Sequence, residues 1–383
     1  MLSAMSIAGS QGPRVLFVSK PIVPPWNDGS KNLVRDLATH VTGATATVLT
    51  TSVDSGLGPR VRCEPVYASP GRFAPSVFAN ARVFRRLLLG DGHDVWHFVF
   101  APNAVSGVGA LVARELRATF GWRGSVVQTL ASAPRSFDGV TRWLFGDVIV
   151  ALSEWTRGRL LGAGVRGRDV RVIPPCARAP RKVGEDERRA TRERYELGSG
   201  PVVLYPGDYE VSRGAETVAR ATRRLLRAVP EAHVIFACRQ KTPAATKGAK
   251  RIGQLLHEQG AMGRVRLLGD VDDMPALLAI SSVLAFPVDD LFAKVDLPLV
   301  LLEALALGLP LVLARGGPLE ALHCGRFVEP GDADAVANQV LDLLHNPADV
   351  AQEGQALYRE RYEPSKVAAV YDALYAELFA KRR

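Results

Sequence analysis

Residues 283–320 read VLAFPVDDLFAKVDLPLVLLEALALGLPLVLARGGPLE, and the order of apolar runs and breakers in this stretch decides the fold. The run 283–287 is short, apolar and closed by Pro287, as a buried strand should be. A polar loop follows with Asp289, Asp290, Lys294 and Asp296. Pro298 then opens an apolar helix, where proline is favoured because the N–H it lacks would go unbonded in a first turn anyway. Gly308 and Pro310 stop that helix, residues 310–314 form the next strand, and Arg315-Gly316-Gly317 closes it. Strand, helix and strand that are all apolar belong to a parallel sheet covered on both faces.

The same alternation extends outward. Before this stretch, 14–19, 46–51, 94–100, 125–130, 147–152 and 170–173 read as strands, and 32–41, 78–89 and 104–120 as helices. Another helix starts after Ser153-Glu154. Residues 178–200 break the rhythm with Pro180 and a dense charge cluster, as a linker and surface helix would. Strands at 201–205, 233–238 and 265–268 then alternate with helices at 215–228, 252–259 and 274–280, and helices at 334–344 and 366–378 end the chain. The expected class is α/β with two Rossmann-like parallel-sheet domains, 1–178 and 179–365. A last helix within 366–383 packs back on the first domain. Ligands of open parallel sheets bind beyond the carboxyl ends of the strands, so two such domains facing across a cleft would bind there.

Composition narrows the partners. The chain has 383 residues and a net charge of +9. Residues 1–180 hold 21 basic against 11 acidic residues, whereas the remainder is nearly balanced, so the excess points to an anionic partner of the first half or to a mere preference for arginine. The helix at 78–89 carries Arg82, Arg85 and Arg86 and suits a membrane surface. No basic module interleaved with aromatics suggests nucleic acid. The four cysteines are far apart, with no C-x-x-C pair, which fits a reducing cytoplasm. No leader pattern or membrane-spanning run is apparent.

Several side chains in the predicted loops suit an anionic ligand. The helix opening at Pro298 points the amides of Leu299 and Val300 at an anion, with Lys294 and Asp296 at its mouth. Glu303 is a lone carboxylate among apolar neighbours and needs a partner. Gly316-Gly317 permits close backbone approach. Asp289-Asp290 is adjacent rather than spaced and reads as a turn, so no metal is expected.

Together these residues resemble the retaining glycosyltransferases of family 4, which have the GT-B fold. The resemblance rests on Phe286-Pro287, Leu299 to Pro310 around Glu303, and Gly316-Gly317-Pro-Leu-Glu320. Val148 to Glu154, Val172-Ile173-Pro174 and Gly325 to Asp332 extend it over most of the chain. It implies transfer of a sugar from a nucleoside-diphosphate-sugar, without a cofactor or metal, to a glycan, lipid-linked or small-molecule acceptor held by the first domain. Glu303 matches the carboxylate that binds the donor ribose, and carboxylates accept two hydroxyl hydrogen bonds at once. Asp296 stands beside the position of a missing glutamate, where this chain has Val295, and is expected to act on the sugar or to cap the helix.

Gly207 to Gly214 matches the family's phosphate stretch, with Arg213 as the diphosphate ligand. Asp208 replaces its usual arginine and would repel phosphate, so Arg239 and Lys241 are expected to compensate. In the first domain Gly29 matches the glycine loop near the phosphates, and His97 matches a histidine facing the reacting sugar, unless it is a core histidine. The departures at Val295, Asp208 and Ala131 also leave room for a nucleotide-sugar epimerase, a phosphorylase or an inactive nucleotide-sugar-binding protein.

Overall fold

The computed structural model describes residues 12–69, 76–90, 92–167 and 170–382. The chain divides into two compact units, residues 1–176 with 364–383, and residues 177–363.

The first unit holds a seven-stranded sheet, every registered pair parallel. Its strands are β1 (Arg14–Val18), β2 (Thr45–Thr50), β3 (Arg62–Pro65), β4 (Val95–Phe100), β5 (Ser125–Leu130), β6 (Val148–Ala151) and β7 (Val170–Val172), in the order β3-β2-β1-β4-β5-β6-β7. Helices α1 (Gly29–His40), α2 (Val77–Leu89), α3 (Ala104–Thr119) and α4 (Glu154–Gly162) connect them. Strand β3 was not legible beforehand. Its Arg-Cys-Glu-Pro is only four residues long, half charged and without a buried residue, as suits a strand at the edge of the sheet.

The second unit begins with α5 (Glu185–Arg194), a surface helix with no buried residue. A six-stranded parallel sheet follows, built from β8 (Val202–Tyr205), β9 (His233–Ala237), β10 (Val265–Leu268), β11 (Val283–Phe286), β12 (Leu311–Ala314) and β13 (Arg326–Val328). Their order is β10-β9-β8-β11-β12-β13. Helices α6 (Gly214–Ala228), α7 (Pro243–Glu258), α8 (Met274–Ile280), α9 (Leu299–Leu307), α10 (Ala333–His345) and α11 (Ala348–Leu357) complete it. Helix α7 starts nine residues before its apolar periodicity does, because Thr242 caps it and Pro243 opens its first turn. Helix α11 was also missed.

In both sheets the order reverses at a single point, between β1 and β4 and between β8 and β11. Loops that leave neighbouring strands in opposite directions there open a crevice at the carboxyl edge.

The last helix, α12 (Pro364–Ala380), belongs to the first unit. It buries Val367, Tyr371, Leu374, Tyr375 and Leu378, at helical spacing. Tyr375 and Thr129 hold the two ring nitrogens of His97, each at 2.7 Å, and Thr129 also meets the Tyr371 hydroxyl at 3.1 Å. His97 is therefore a core residue with 0% exposure, and the expectation that it faces the reacting sugar is corrected. It sits mid-strand in β4, between Phe17 of β1 and Val127 of β5, with both nitrogens bonded. Burial pushes its imidazole down to about 3.

That shift has a consequence for stability. A neutral folded His97 opposes an unfolded histidine that takes a proton near 6.5, so its contribution is whole above that pH and is lost as pH falls towards 3. The predicted loss is about 1.4 kcal/mol per pH unit. In thermal unfolding between those limits, His97→Gln should show a shallower pH slope than the parent chain; equal slopes would contradict this.

Candidate donor site on the second sheet

The site is built where β8 and β11 diverge. Tyr205 ends β8 with its ring fully buried. Its hydroxyl donates to the Asp208 carbonyl at 3.0 Å, so the chain turns sharply around it. A Cβ on Gly207 would lie 2.2 Å from that ring, and one on Gly214 would meet the hydroxyl at 2.8 Å and Val288 at 2.9 Å. Both glycines of the 207–214 stretch are thus required by close approach.

Asp208 organises the loop. One carboxylate oxygen accepts the amides of Glu210, Val211 and Ser212 at 3.0, 2.6 and 3.3 Å. The other accepts the Lys294 ammonium at 2.8 Å. Burial, the largest influence, opposes its ionisation, but Lys294 and the amides outweigh burial and hold the carboxyl below its ordinary range. The expectation that Asp208 repels phosphate is corrected, because its charge is answered within the fold. Lys294 is corrected with it, since its ammonium is bound to Asp208 rather than displayed at the mouth of α9.

A second pair runs the other way. Asp289, in the loop after β11, accepts the Arg213 backbone amide at 3.0 Å and its Nε at 2.6 Å. The Arg213 side chain remains 64% exposed and lies beside Gly331, whose Cβ would come within 3.3 Å of Nη1. Each loop therefore supplies an aspartate and, five residues later, a cation, and each aspartate bonds the cation of the other loop. Asp289 was read as part of a turn. The repeated five-residue spacing, Asp208 to Arg213 and Asp289 to Lys294, was the signal available in the sequence.

The remaining predicted ligands are less concentrated. Arg239 follows β9, next to β8, but its guanidinium leans to Asp270 after β10 at 3.7 Å. Lys241 is exposed one residue before the α7 cap, and that cap, Thr242, bonds Glu210 of the Asp208 loop. Helix α9 starts after Pro298 with no side-chain cap, which leaves Leu299 and Val300 in its first turn. The N-cap position of α9 is Pro298 rather than Asp296, which corrects that alternative. Asp296 is only 1% exposed between buried Val295 and Leu297, so contact with a sugar would require the loop to shift. Glu303 is half-buried on α9, between Leu302 and Ala304, which are both buried. Beyond β12, the Gly316 amide donates to Glu320 at 2.9 Å.

In the first unit Gly29 is the first residue of α1. Asp28 caps that helix, accepting the amides of Ser30 and Lys31 at 3.0 and 3.3 Å and the Lys20 ammonium at 2.9 Å. Burial opposes the Asp28 charge, yet Lys20, Ser30 and the Lys31 amide keep its carboxyl far below the ordinary range. A carboxylate thus already occupies the helix start that Gly29 was expected to open to phosphate. Among the described residues no group of three or more His, Cys, Asp or Glu side chains could hold a metal ion.

Two parallel sheets, each with one switch point, form an architecture on which many nucleotide-binding enzymes are built. Residues 200–346 match the family model described as Glycosyl transferases group 1. Over 298 residues the chain is 30% identical to the GDP-mannose-dependent alpha-(1-6)-phosphatidylinositol monomannoside mannosyltransferase of Mycolicibacterium smegmatis, covering 74% of this chain and 75% of that one. Among solved structures, Anabaena HepE in complex with UDP-glucose superposes with a TM-score of 0.72 at 18% identity, over 96% of this chain and 100% of that one. The catalytic domain of starch synthase IV from Arabidopsis thaliana, bound to ADP and acarbose, gives 0.75 at 12% identity, over 96% and 100%. The chain belongs to the group 1 glycosyltransferases and has their GT-B fold. It is a glycosyltransferase that uses a nucleotide-sugar donor.

The crossed pairs should be measurable as coupling. Asp208→Asn and Lys294→Met should each destabilise by about 2 kcal/mol, since each leaves a half-buried partner unanswered. The double substitution should cost less than their sum by about 1–2 kcal/mol in chemical unfolding; additive losses would show that the pair is not an energetic unit.

Proposed function

We propose that this enzyme moves a hexose from a nucleoside-diphosphate-hexose to a lipid-linked or anionic glycan, with retention at the anomeric carbon. The observation that carries this reading is the crossed pairing at the β8/β11 switch point. It leaves the Arg213 guanidinium largely exposed and joined, through Asp289, to the loop that leads into α9. In this reading the donor diphosphate takes the place of Asp289 on Arg213, where a guanidinium can bond two phosphate oxygens at once. The amides of Leu299 and Val300 receive the other phosphate. Glu303, one turn further along α9, accepts the ribose hydroxyls. Arg239 and Lys241 contribute only long-range attraction.

When the bond from the anomeric carbon to the diphosphate breaks, the nucleotide leaves with the electron pair. Arg213 and the helix amides stabilise that charge in place of a metal ion. The acceptor hydroxyl oxygen forms the new bond and passes its proton to the departing diphosphate oxygen. Retention is inferred from the family likeness alone, and neither His97 nor Asp296 is assigned a part in it. The acceptor class is supported by the phosphatidylinositol monomannoside named for the 30% identical relative and by the basic excess of residues 1–180. A cytoplasmic location, with the chain at the inner face of a membrane, fits that acceptor.

The test is incubation with a panel of nucleotide sugars, GDP-mannose first, and a phosphatidylinositol mannoside as acceptor. Labelled sugar should move to the organic phase in the anomeric form of the donor, read by proton coupling constants. Glu303→Gln should lower kcat/KM about a hundredfold, as two charge-assisted hydrogen bonds weaken. An epimerised donor without released nucleotide would overturn transfer, and an inverted product would overturn retention.

A further inference from the structure

Two helices of the first unit carry an outer face that is left exposed among the described residues. Among the described residues, nine of the fourteen exposed large apolar side chains fall on α2, on α3 or at Phe120 just after it. That concentration exceeds the scatter of single apolar residues on ordinary surfaces. On α3, Val105, Val108, Val112 and Leu116 recur at steps of three and four, with Val105 68% exposed. They stand opposite Gly107, Ala110 and Ala113, which are buried, so α3 is apolar on both sides. On α2, Phe78, Arg82, Arg85 and Leu89 form a stripe opposite buried Val83 and Leu87, and Phe78 is 81% exposed. The two helices pack against each other.

Charge says what covers this face. Arg86, counted in the sequence with its two neighbours, turns inward to Glu64 of β3 at 2.9 Å. Arg82 and Arg85 are exposed and, among the described residues, meet no carboxylate. Helix α2 contains no acidic residue and α3 contains one, Glu115. An apolar strip flanked by unanswered arginines matches the boundary between acyl chains and anionic headgroups. It suits a second copy of the chain poorly, because a two-fold contact would bring the same unpaired cations together. Among the described residues no helix is long and apolar enough to cross a membrane, so contact would be from one side.

We infer that the α2–α3 face docks on the surface of an anionic lipid bilayer, with α3 supplying the apolar contact and Arg82 and Arg85 the attraction to headgroups. The inference stands on the first unit alone, so its failure would leave the donor-site reading intact.

Vesicle flotation tests it, with phosphatidylcholine alone and with added phosphatidylglycerol, at low and high salt. The parent chain should float with the anionic vesicles, recover several-fold less with the neutral ones, and lose most of the difference at high salt. Arg82→Gln and Arg85→Gln should each weaken partition about fivefold. Val108→Ser combined with Val112→Ser and Leu116→Ser should abolish flotation with both kinds of vesicle. Its melting temperature should not change, because these side chains face outward. Flotation equal to the parent for either set of variants would overturn the proposal, as would absence of the parent from the anionic vesicles. A parent dimer in light scattering that Val112→Ser and Leu116→Ser convert to monomer would also overturn it, by placing a second copy on the face.

Discussion

The candidate donor site depends on one arrangement, in which two loops exchange ion pairs. Asp208 holds Lys294, and Asp289 holds Arg213, so each loop is tied to the other at two points. The parallel sheet makes this possible. Strands β8 and β11 are neighbours, but their chains turn away in opposite directions, which leaves both loops at one carboxyl edge. Asp208 does more than balance charge, because it also gathers three backbone amides that would otherwise lack acceptors in the turn around Tyr205. The pairs differ in depth. Asp208–Lys294 is half-buried and structural, whereas Arg213 stands mostly in solvent and can change partners. Fixing Lys294 within the fold while Arg213 stays at the solvent edge, where an anion can exchange with Asp289, is a form of preorganisation.

The fold was largely legible because buried parallel strands are short apolar runs with clear punctuation. Residues 283–320 show this best, as β11, α9 and β12 fall almost where the apolar runs and Pro298, Gly308 and Pro310 put them. Where periodicity carried no signal, the reading failed. Strand β3 is polar, and the first half of α7 is rich in small residues and lysine.

The site was less legible, for a physical reason. Sequence names the charges but not their partners. Asp208 looked hostile to phosphate and Lys294 looked free, and each judgement reversed once the two met at 2.8 Å. His97 matched a sugar-facing histidine by its place in β4, yet Tyr375, 278 residues away, fills its Nδ1 side. No local pattern announces a contact of that range. The first unit shows the same limit at Asp28, whose carboxylate fills the α1 start that Gly29 seemed to leave open. Its arginine excess was visible in composition, but only the structure separates Arg86, tied to Glu64, from Arg82 and Arg85, which face outward.

In the proposed reading the crossed pairs leave Arg213 as the seat of the donor diphosphate. Calorimetric titration of a nucleoside diphosphate against its parent nucleoside, with the intact chain and with Arg213→Gln, tests this most directly. The substitution should lower affinity for the diphosphate at least tenfold, about 1.4 kcal/mol or more, and leave the weak affinity for the nucleoside unchanged. An unchanged ratio between the two ligands would contradict it.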